Sequence, residues 1–287
     1  MKRWVIWLSA AGALVAAPAA ISQVVLAPTV YHSAALPSDS ITAFTVTCPL
    51  GYFAVSAGVS KAAPGVTTLS IRPAGARAFV FRFGNPSTNP DRTITVAVAC
   101  RKIKAVGGKP RLKLVQLKTR PVSVPVEGQK QIVIQCPKGT VPAGGGVDLA
   151  PPKGKELAGF GGSPLEVRGQ TSDLKRFTFD VRNTGSKPHA AVLYGNCVTL
   201  VRPAGSAPGR LQVKVTTETT AVQPGSHTVK RSCRSGWVAL ATGYTLVGPK
   251  VTLGGSAAVG RAGQWTITNG GIGQVLADLQ LVCGRLS

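Results

Sequence analysis

The sequence predicts an all-β protein of three tandem small β-sandwich domains, each with one internal disulfide, and three observations carry that expectation. First, the six cysteines, Cys48, Cys100, Cys136, Cys197, Cys233 and Cys283, lie 52, 61 and 50 residues apart within successive pairs, with 36 residues from each pair to the next. Second, the stretches that start at the first cysteine of each pair are CPLGYFAVSAG (48–58), CPKGTVPAGGG (136–146) and CRSGWVALATG (233–243), and all fit C-x-x-G-x6-G. Third, apolar and β-branched residues alternate with polar ones along most of the chain, while 34 glycines and 21 prolines punctuate it. Period-two alternation marks strands with one buried face, and self-similarity at a fixed interval marks a repeat.

The first twenty residues, MKRWVIWLSAAGALVAAPAA, read as a signal peptide (1–20). Lys2 and Arg3 form a positive start, Trp4 to Ala17 an apolar run, and Ala17-Pro18-Ala19 a small-residue cleavage site. The run falls short of the roughly 20 apolar residues of a comfortable membrane span, so a retained N-terminal anchor is the lesser alternative. The expected location is secreted or cell-envelope associated.

Three units follow, at 21–105, 106–202 and 203–287. In each, a turn (PSDS, EGQK or PGSH) introduces a strand that runs into the opening cysteine, as in ITAFTVT (41–47) and QIVIQ (131–135). A second strand ends at an asparagine: FVFRFGN at Asn85, FTFDVRN at Asn183 and QWTITN at Asn269. That asparagine stands 15, 14 and 14 residues before the closing cysteine, and turn residues follow it. Alternating apolar residues lead into the closing cysteine, as in Ile94, Val96 and Val98 or Leu279 and Leu281. Each unit thus offers six or seven short strands. The aromatics Phe79, Phe81 and Phe83, then Phe177 and Phe179, and Trp265 in register with Phe81 and Phe179, are expected in the core. The junctions 101–111 and 202–210, rich in Gly, Pro and charge, read as linkers between separate beads.

Six cysteines allow fifteen pairings, and the repeat selects 48–100, 136–197 and 233–283. An exported chain meets an oxidising compartment, and closing a loop of this length is worth about 4 kcal/mol in the chain-entropy model. Structural zinc takes cysteines in close pairs, whereas none here lie nearer than 36 residues. No metal and no cofactor are expected.

The chain carries 33 basic and 10 acidic side chains, a formal charge of +23. The excess is +6, +9 and +6 in the three units, so it is spread rather than held in a tail. Such charge attracts polyanions, among them anionic envelope polymers and lipid headgroups. The expected partners are such polymers, with peripheral contact at a membrane surface allowed. The segment RLKLVQLKTR (111–120) reads as an amphipathic strand with a basic outer face, which makes Arg111, Lys113, Lys118 and Arg120 the candidate polyanion-binding residues. No specific nucleic-acid motif accompanies them.

Catalytic patterns are missing. The glycine triplet of CPKGTVPAGGG is followed by Val147-Asp148, not by the Lys and hydroxyl of a phosphate loop. Gly144 and Gly145 have no counterparts in the sister units and read as dispensable, whereas Gly146, like Gly58 and Gly243, sits at a place suited to a bulge or a close backbone approach. Ser256 in GGSAAVG lacks the glycine a nucleophile elbow requires. His32, His189 and His227 fall at unrelated, turn-like positions, and Asp173 and Asp180 flank Lys175-Arg176 as a solvated ion-pair cluster. No acid–base pair is nominated, and the chain is expected not to be an enzyme.

The pattern C-P-x-G, a glycine cluster, an aromatic stretch ending in Asn and a final strand ending in Cys resembles a disulfide-stapled β-sandwich repeat of exported bacterial proteins that has no assigned activity. The likeness is strongest over 131–202. The third unit departs from it, having Arg234 for proline and no glycine triplet. A more distant likeness is to the vitelline membrane outer layer protein, whose three Greek-key units pack around one axis. The Pro/Gly linkers here favour separate beads over that prism. The resulting expectation is an exported, non-enzymatic β protein binding or adhering to anionic polymers. The alternative is a carbohydrate-binding module or a prism-fold-like carbohydrate-active protein, with exposed Trp237 and Tyr244 lining its pocket.

Overall fold

The computed structural model describes residues 23–26, 29–61, 63–86, 88–104, 111–149, 164–201, 210–248 and 250–286. The signal segment, 1–20, lies outside them, as do the central residues of both expected linkers, 105–110 and 202–209. All regular structure among the described residues is β, in twenty strands.

The first unit contains β1 (Gln23–Leu26), β2 (Val30–Leu36), β3 (Ser40–Thr47), β4 (Phe53–Lys61), β5 (Thr67–Pro73), β6 (Ala78–Asn85) and β7 (Arg92–Lys104). The second contains β8 (Arg111–Lys118), β9 (Val122–Val124), β10 (Gln129–Gln135), β11 (Val141–Asp148), β12 (Leu165–Ser172), β13 (Arg176–Asn183) and β14 (His189–Val201). The third contains β15 (Leu211–Val222), β16 (Gly225–Ser232), β17 (Val238–Leu246), β18 (Val251–Val259), β19 (Ala262–Asn269) and β20 (Val275–Leu286).

Every unit repeats one antiparallel plan. The strand before the opening cysteine pairs with the strand ending in the repeated asparagine, and that strand pairs onward, giving β3-β6-β5, β10-β13-β12 and β16-β19-β18. The strand carrying the closing cysteine lies between two others in the opposing sheet: β2-β7-β4, β8-β14-β11 and β15-β20-β17. Alternation turns Phe79, Phe81, Phe83, Phe177, Phe179 and Trp265 inward, and all are buried. Disulfides join Cys48 to Cys100, Cys136 to Cys197 and Cys233 to Cys283, each tying the start of one sheet to the centre of the other.

The repeated asparagines do more than begin a turn. Asn85, Asn183 and Asn269 are buried, and each amide nitrogen donates to carbonyls on either side of it. Asn183 Nδ2 reaches Val124 O (3.1 Å) and Lys187 O (2.8 Å), while its Oδ1 accepts from Gly185 N. Asn269 does the same with Val222 O, Gly273 O and Gly271 N. One side chain thereby satisfies the backbone of two chain reversals that no strand ladder can serve.

The units are not separate beads. Strand β5 of the first pairs with β11 of the second, through Ile71↔Val147 and Ser70↔Asp148. Strand β12 of the second pairs with β17 of the third, through Gly169↔Thr245 and Gln170↔Tyr244. Strand β18 of the third lies against β4 of the first. The contacts close a ring, and the repeated glycine makes each possible. A Cβ at Gly58 would strike the Ser256 carbonyl, one at Gly146 the Ile71 carbonyl, and one at Gly243 the Gln170 carbonyl, always in the neighbouring unit. The close-approach reading of this glycine holds. The bulge lies three residues earlier, at Val55, Ala143 and Leu240. Gly144 is not dispensable, since a side chain there would meet the Val55 carbonyl and the Ser56 backbone; at Gly145 it would meet Phe179 and Gln170.

Two arginines lock the third unit to the others. Arg101, expected in a linker, belongs to β7 and is fully buried. It donates to Ala239 O from both Nε (3.1 Å) and Nη2 (2.7 Å), to Gly260 O from Nη2 (3.2 Å) and to Cys100 O from Nη1 (2.9 Å). Burial pushes its pKa down to about 10, so it stays charged at neutral pH. Arg168 of the second unit donates to the carbonyls of Val251, Leu246 and Gly248 and to Glu166.

Candidate functional site

Two concavities follow from this architecture. The first lies where the units meet. A cavity of about 480 Å³ is lined by residues of all three, among them Thr67, Glu166, Gln170, Thr184, Thr242 and Ser256. The inter-unit glycines place backbone and small hydroxyl side chains there instead of bulky groups. Glu166 contributes a carboxylate to the lining, and Arg168 holds it at 2.9 Å. Tyr244 also borders the cavity. Burial, with Glu166 nearby, pushes its phenol well above the ordinary value, and the hydroxyl donates to Val167 O at 3.4 Å. This wall can hydrogen-bond an uncharged polar ligand.

The second concavity is a hollow of about 600 Å³ between the two sheets of the third unit. Lys214, Arg231, Arg234 and Arg285 surround it, with Glu218 as the acid of the lining. Arg231 and Glu218 form a two-point ion pair, Nε to Oε2 and Nη2 to Oε1, both 2.6 Å. Arg285 lies over the Trp237 ring at 4.8 Å and donates to Gln212. Lys214 and Arg234 are exposed and have no ion-pair partner among the described residues.

The residues nominated from sequence are placed less compactly. Lys113, Lys118 and Arg120 are exposed, and Arg111 starts the same strand, opposite Val201. The register of β8 on β14 runs unbroken, so Lys113 and Lys118 fall on opposite faces. Leu112 and Leu114 pack into one core cluster while Val115 and Leu117 pack on another. The single basic outer face expected for this segment is therefore split. Because β8 ends its sheet, its lysines also guard an open edge against pairing with another chain.

His32, His189 and His227 sit within strands rather than turns. Asp173 closes a tight turn, accepting from the backbone of Lys175 and Arg176 and from the Arg176 guanidinium. Partial burial would raise its carboxyl pKa, but these donors outweigh that and hold it low. Asp180 instead accepts from Gln131, so the expected cluster is only half formed. Trp237 is half-buried beneath Arg285, and Tyr244 is buried, which corrects their expected exposure. Among the described residues no group of three His, Cys, Asp or Glu is placed to hold a metal ion. No helix among them is long and apolar enough to cross a membrane.

No family model matches the chain, and no curated protein does. Among solved structures it is similar to a protein from work on the triple jelly roll fold and turret assembly of an archaeal virus. The identity there is 9%, with 91% of this chain and 90% of that one covered, at a TM-score of 0.22. It is also similar to a protein of Sulfolobus Turreted Icosahedral Virus, at 10% identity and 92% and 90% coverage, with a TM-score of 0.21. The class defined by the fold itself is an all-β, disulfide-linked protein. Three disulfides fit an extracellular or exported setting.

Proposed function

We propose that this is an exported, non-enzymatic binding protein that acts at the cell envelope or outside it and takes anionic polymers. The observation that carries the reading is uncompensated charge. The chain has 33 basic side chains against 10 acidic ones, and three salt bridges occur among the described residues. Cations left without partners on a rigid, ring-closed scaffold present a lasting positive field to a polyanion. Lys113, Lys118 and Arg120 add to that field from one edge, and the cluster around Lys214 and Arg234 from another. The ring closure counts against independent tandem beads.

The test is retention on a heparin-like or teichoic polymer at low ionic strength. Elution at rising salt should show a steep fall in affinity, as screening of surface charge requires. Absent binding, or binding indifferent to salt, refutes the proposal. The second reading is recognition of neutral carbohydrate, favoured by the hydroxyl-lined cavity between the units. Binding to a neutral-glycan array that survives high salt separates it from the first.

A further inference from the structure

The hollow in the third unit lies where five positions differ in character from their counterparts in a sister unit. In the first unit Val46 of β3 faces Phe79 of β6, and in the second Ile134 of β10 faces Phe177 of β13. All four are buried and fill the space beside the disulfide. The corresponding cross-strand pair in the third unit is Arg231↔Gly263. The pair holds no apolar side chain, and the Trp265 ring leans over Gly263 to cover part of the gap.

The opposing wall has changed as well. In the second unit β8 supplies Val115 and Leu117, paired with Cys197 and Gly195, and both pack on the core. In the third unit the equivalent places, paired with Cys283 and Leu281, hold Lys214 and Thr216. Where the sister units have Pro49 and Pro137 after the opening cysteine, the third has Arg234. The Arg285–Trp237 stack is not part of this change, since Lys102 lies over Tyr52 in the same way in the first unit.

A sandwich interior has thus become a cleft with two unlike linings. The inner one is apolar, made of Trp265 of β19 and Leu279 and Leu281 of β20; the outer one, on the edge strands β15 and β16, presents Lys214, Thr216 and Arg231, with Arg234 at the rim. The Arg231–Glu218 pair joins strands of opposite sheets across the opening. The volume falls in the range of small-ligand sites.

Resting on the proposed polyanion-binding function, we infer that this cleft seats one sugar residue bearing a sulfate or carboxylate, within an acidic polysaccharide. A sugar ring offers an apolar face to Trp265 and the leucines and hydroxyls to Thr216 and Glu218. Its anionic group meets Lys214 and Arg234, which have no competing ion-pair partner among the described residues. An acyl chain would leave the hydroxyl and charged wall unsatisfied, and a bare phosphate chain would leave the apolar wall unused.

The experiment titrates the protein with a heparin-derived tetrasaccharide and, separately, with polyphosphate near physiological ionic strength. Lys214→Ser/Arg234→Ser should weaken the tetrasaccharide at least tenfold. The charge-matched control Lys138→Ser/Lys175→Ser, on exposed lysines of the second unit, should weaken it less than threefold. Arg231→Ile/Gly263→Phe/Trp265→Phe rebuilds the packing of the second unit and should abolish the site while leaving salt-sensitive retention on the polymer. Equal losses in the two serine pairs overturn the cleft but leave the polyanion reading standing. Polyphosphate that binds as tightly as the tetrasaccharide, and is lost equally in Lys214→Ser/Arg234→Ser, overturns the saccharide assignment. Failure of the native protein to bind any polyanion overturns both.

Discussion

Replacing Arg101 by methionine tests whether the three units fold as one ring. The guanidinium is fully buried and supplies donors to three carbonyls, two of them in the third unit. Hydrogen bonds of charged donors contribute about 1.5–3 kcal/mol each. Losing the four bonds would cost about 6 kcal/mol at the low end, but removing the charge also relieves its desolvation, which offsets roughly half. Arg101→Met should therefore destabilise by about 2–3 kcal/mol, and Arg101→Ala by about 2 kcal/mol more through the cavity it leaves. With a slope near 2 kcal/mol per molar urea, the methionine variant should lose about 1 M in its midpoint. Outside the first twenty residues the tryptophans are Trp237 and Trp265. In a chain lacking that segment, fluorescence reports the third unit alone while circular dichroism reports all strands. The two transitions should coincide in the native chain and separate in Arg101→Met, with fluorescence first. A midpoint within 0.2 M of native, or transitions that stay superimposed, would refute the reasoning.

Other outcomes follow from single contacts. Gly146→Ala sets a methyl against the Ile71 carbonyl and should cost about 1–3 kcal/mol by thermal denaturation; Gly273→Ala, with open space around it, should stay within about 0.5 kcal/mol. Asn183→Ala strips partners from Val124 O, Lys187 O and Gly185 N and should cost about 2–4 kcal/mol in urea. Cys233 and Cys283 are 5% and 6% exposed and line the hollow, against 1% and 0% for Cys48 and Cys100. Under mild reductant, alkylation and peptide mapping should find Cys233 and Cys283 labelled before Cys48 and Cys100, and the reverse order would contradict the hollow's accessibility.

Much of the fold was legible because it is local. Alternation, turn residues and the recurrence of cysteine, glycine and asparagine are properties of neighbouring positions, and three copies of each made the strand plan and the disulfide pairing readable. The candidate site was less legible. The basic run at 111–120 drew attention as a block of charge, yet a strand presents alternate residues to opposite faces, so Lys113 and Lys118 part company. The hollow left a fainter signal. The departure of the third unit at Arg234 was visible, but Arg231 and Gly263 gain meaning only when the register sets them opposite each other where Val46 meets Phe79.

The sequence by itself determined the all-β character and the three covalent links, since these depend on side-chain periodicity and on repetition along the chain. Only the tertiary structure decided that the units close into a ring, that Arg101 leaves its apparent linker to be buried against Ala239 and Gly260, and that one interior opens into a cationic cleft. The physical reason is that a glycine permits a close approach without naming its partner. Backbone carbonyls that accept an arginine likewise leave no mark in the side-chain pattern.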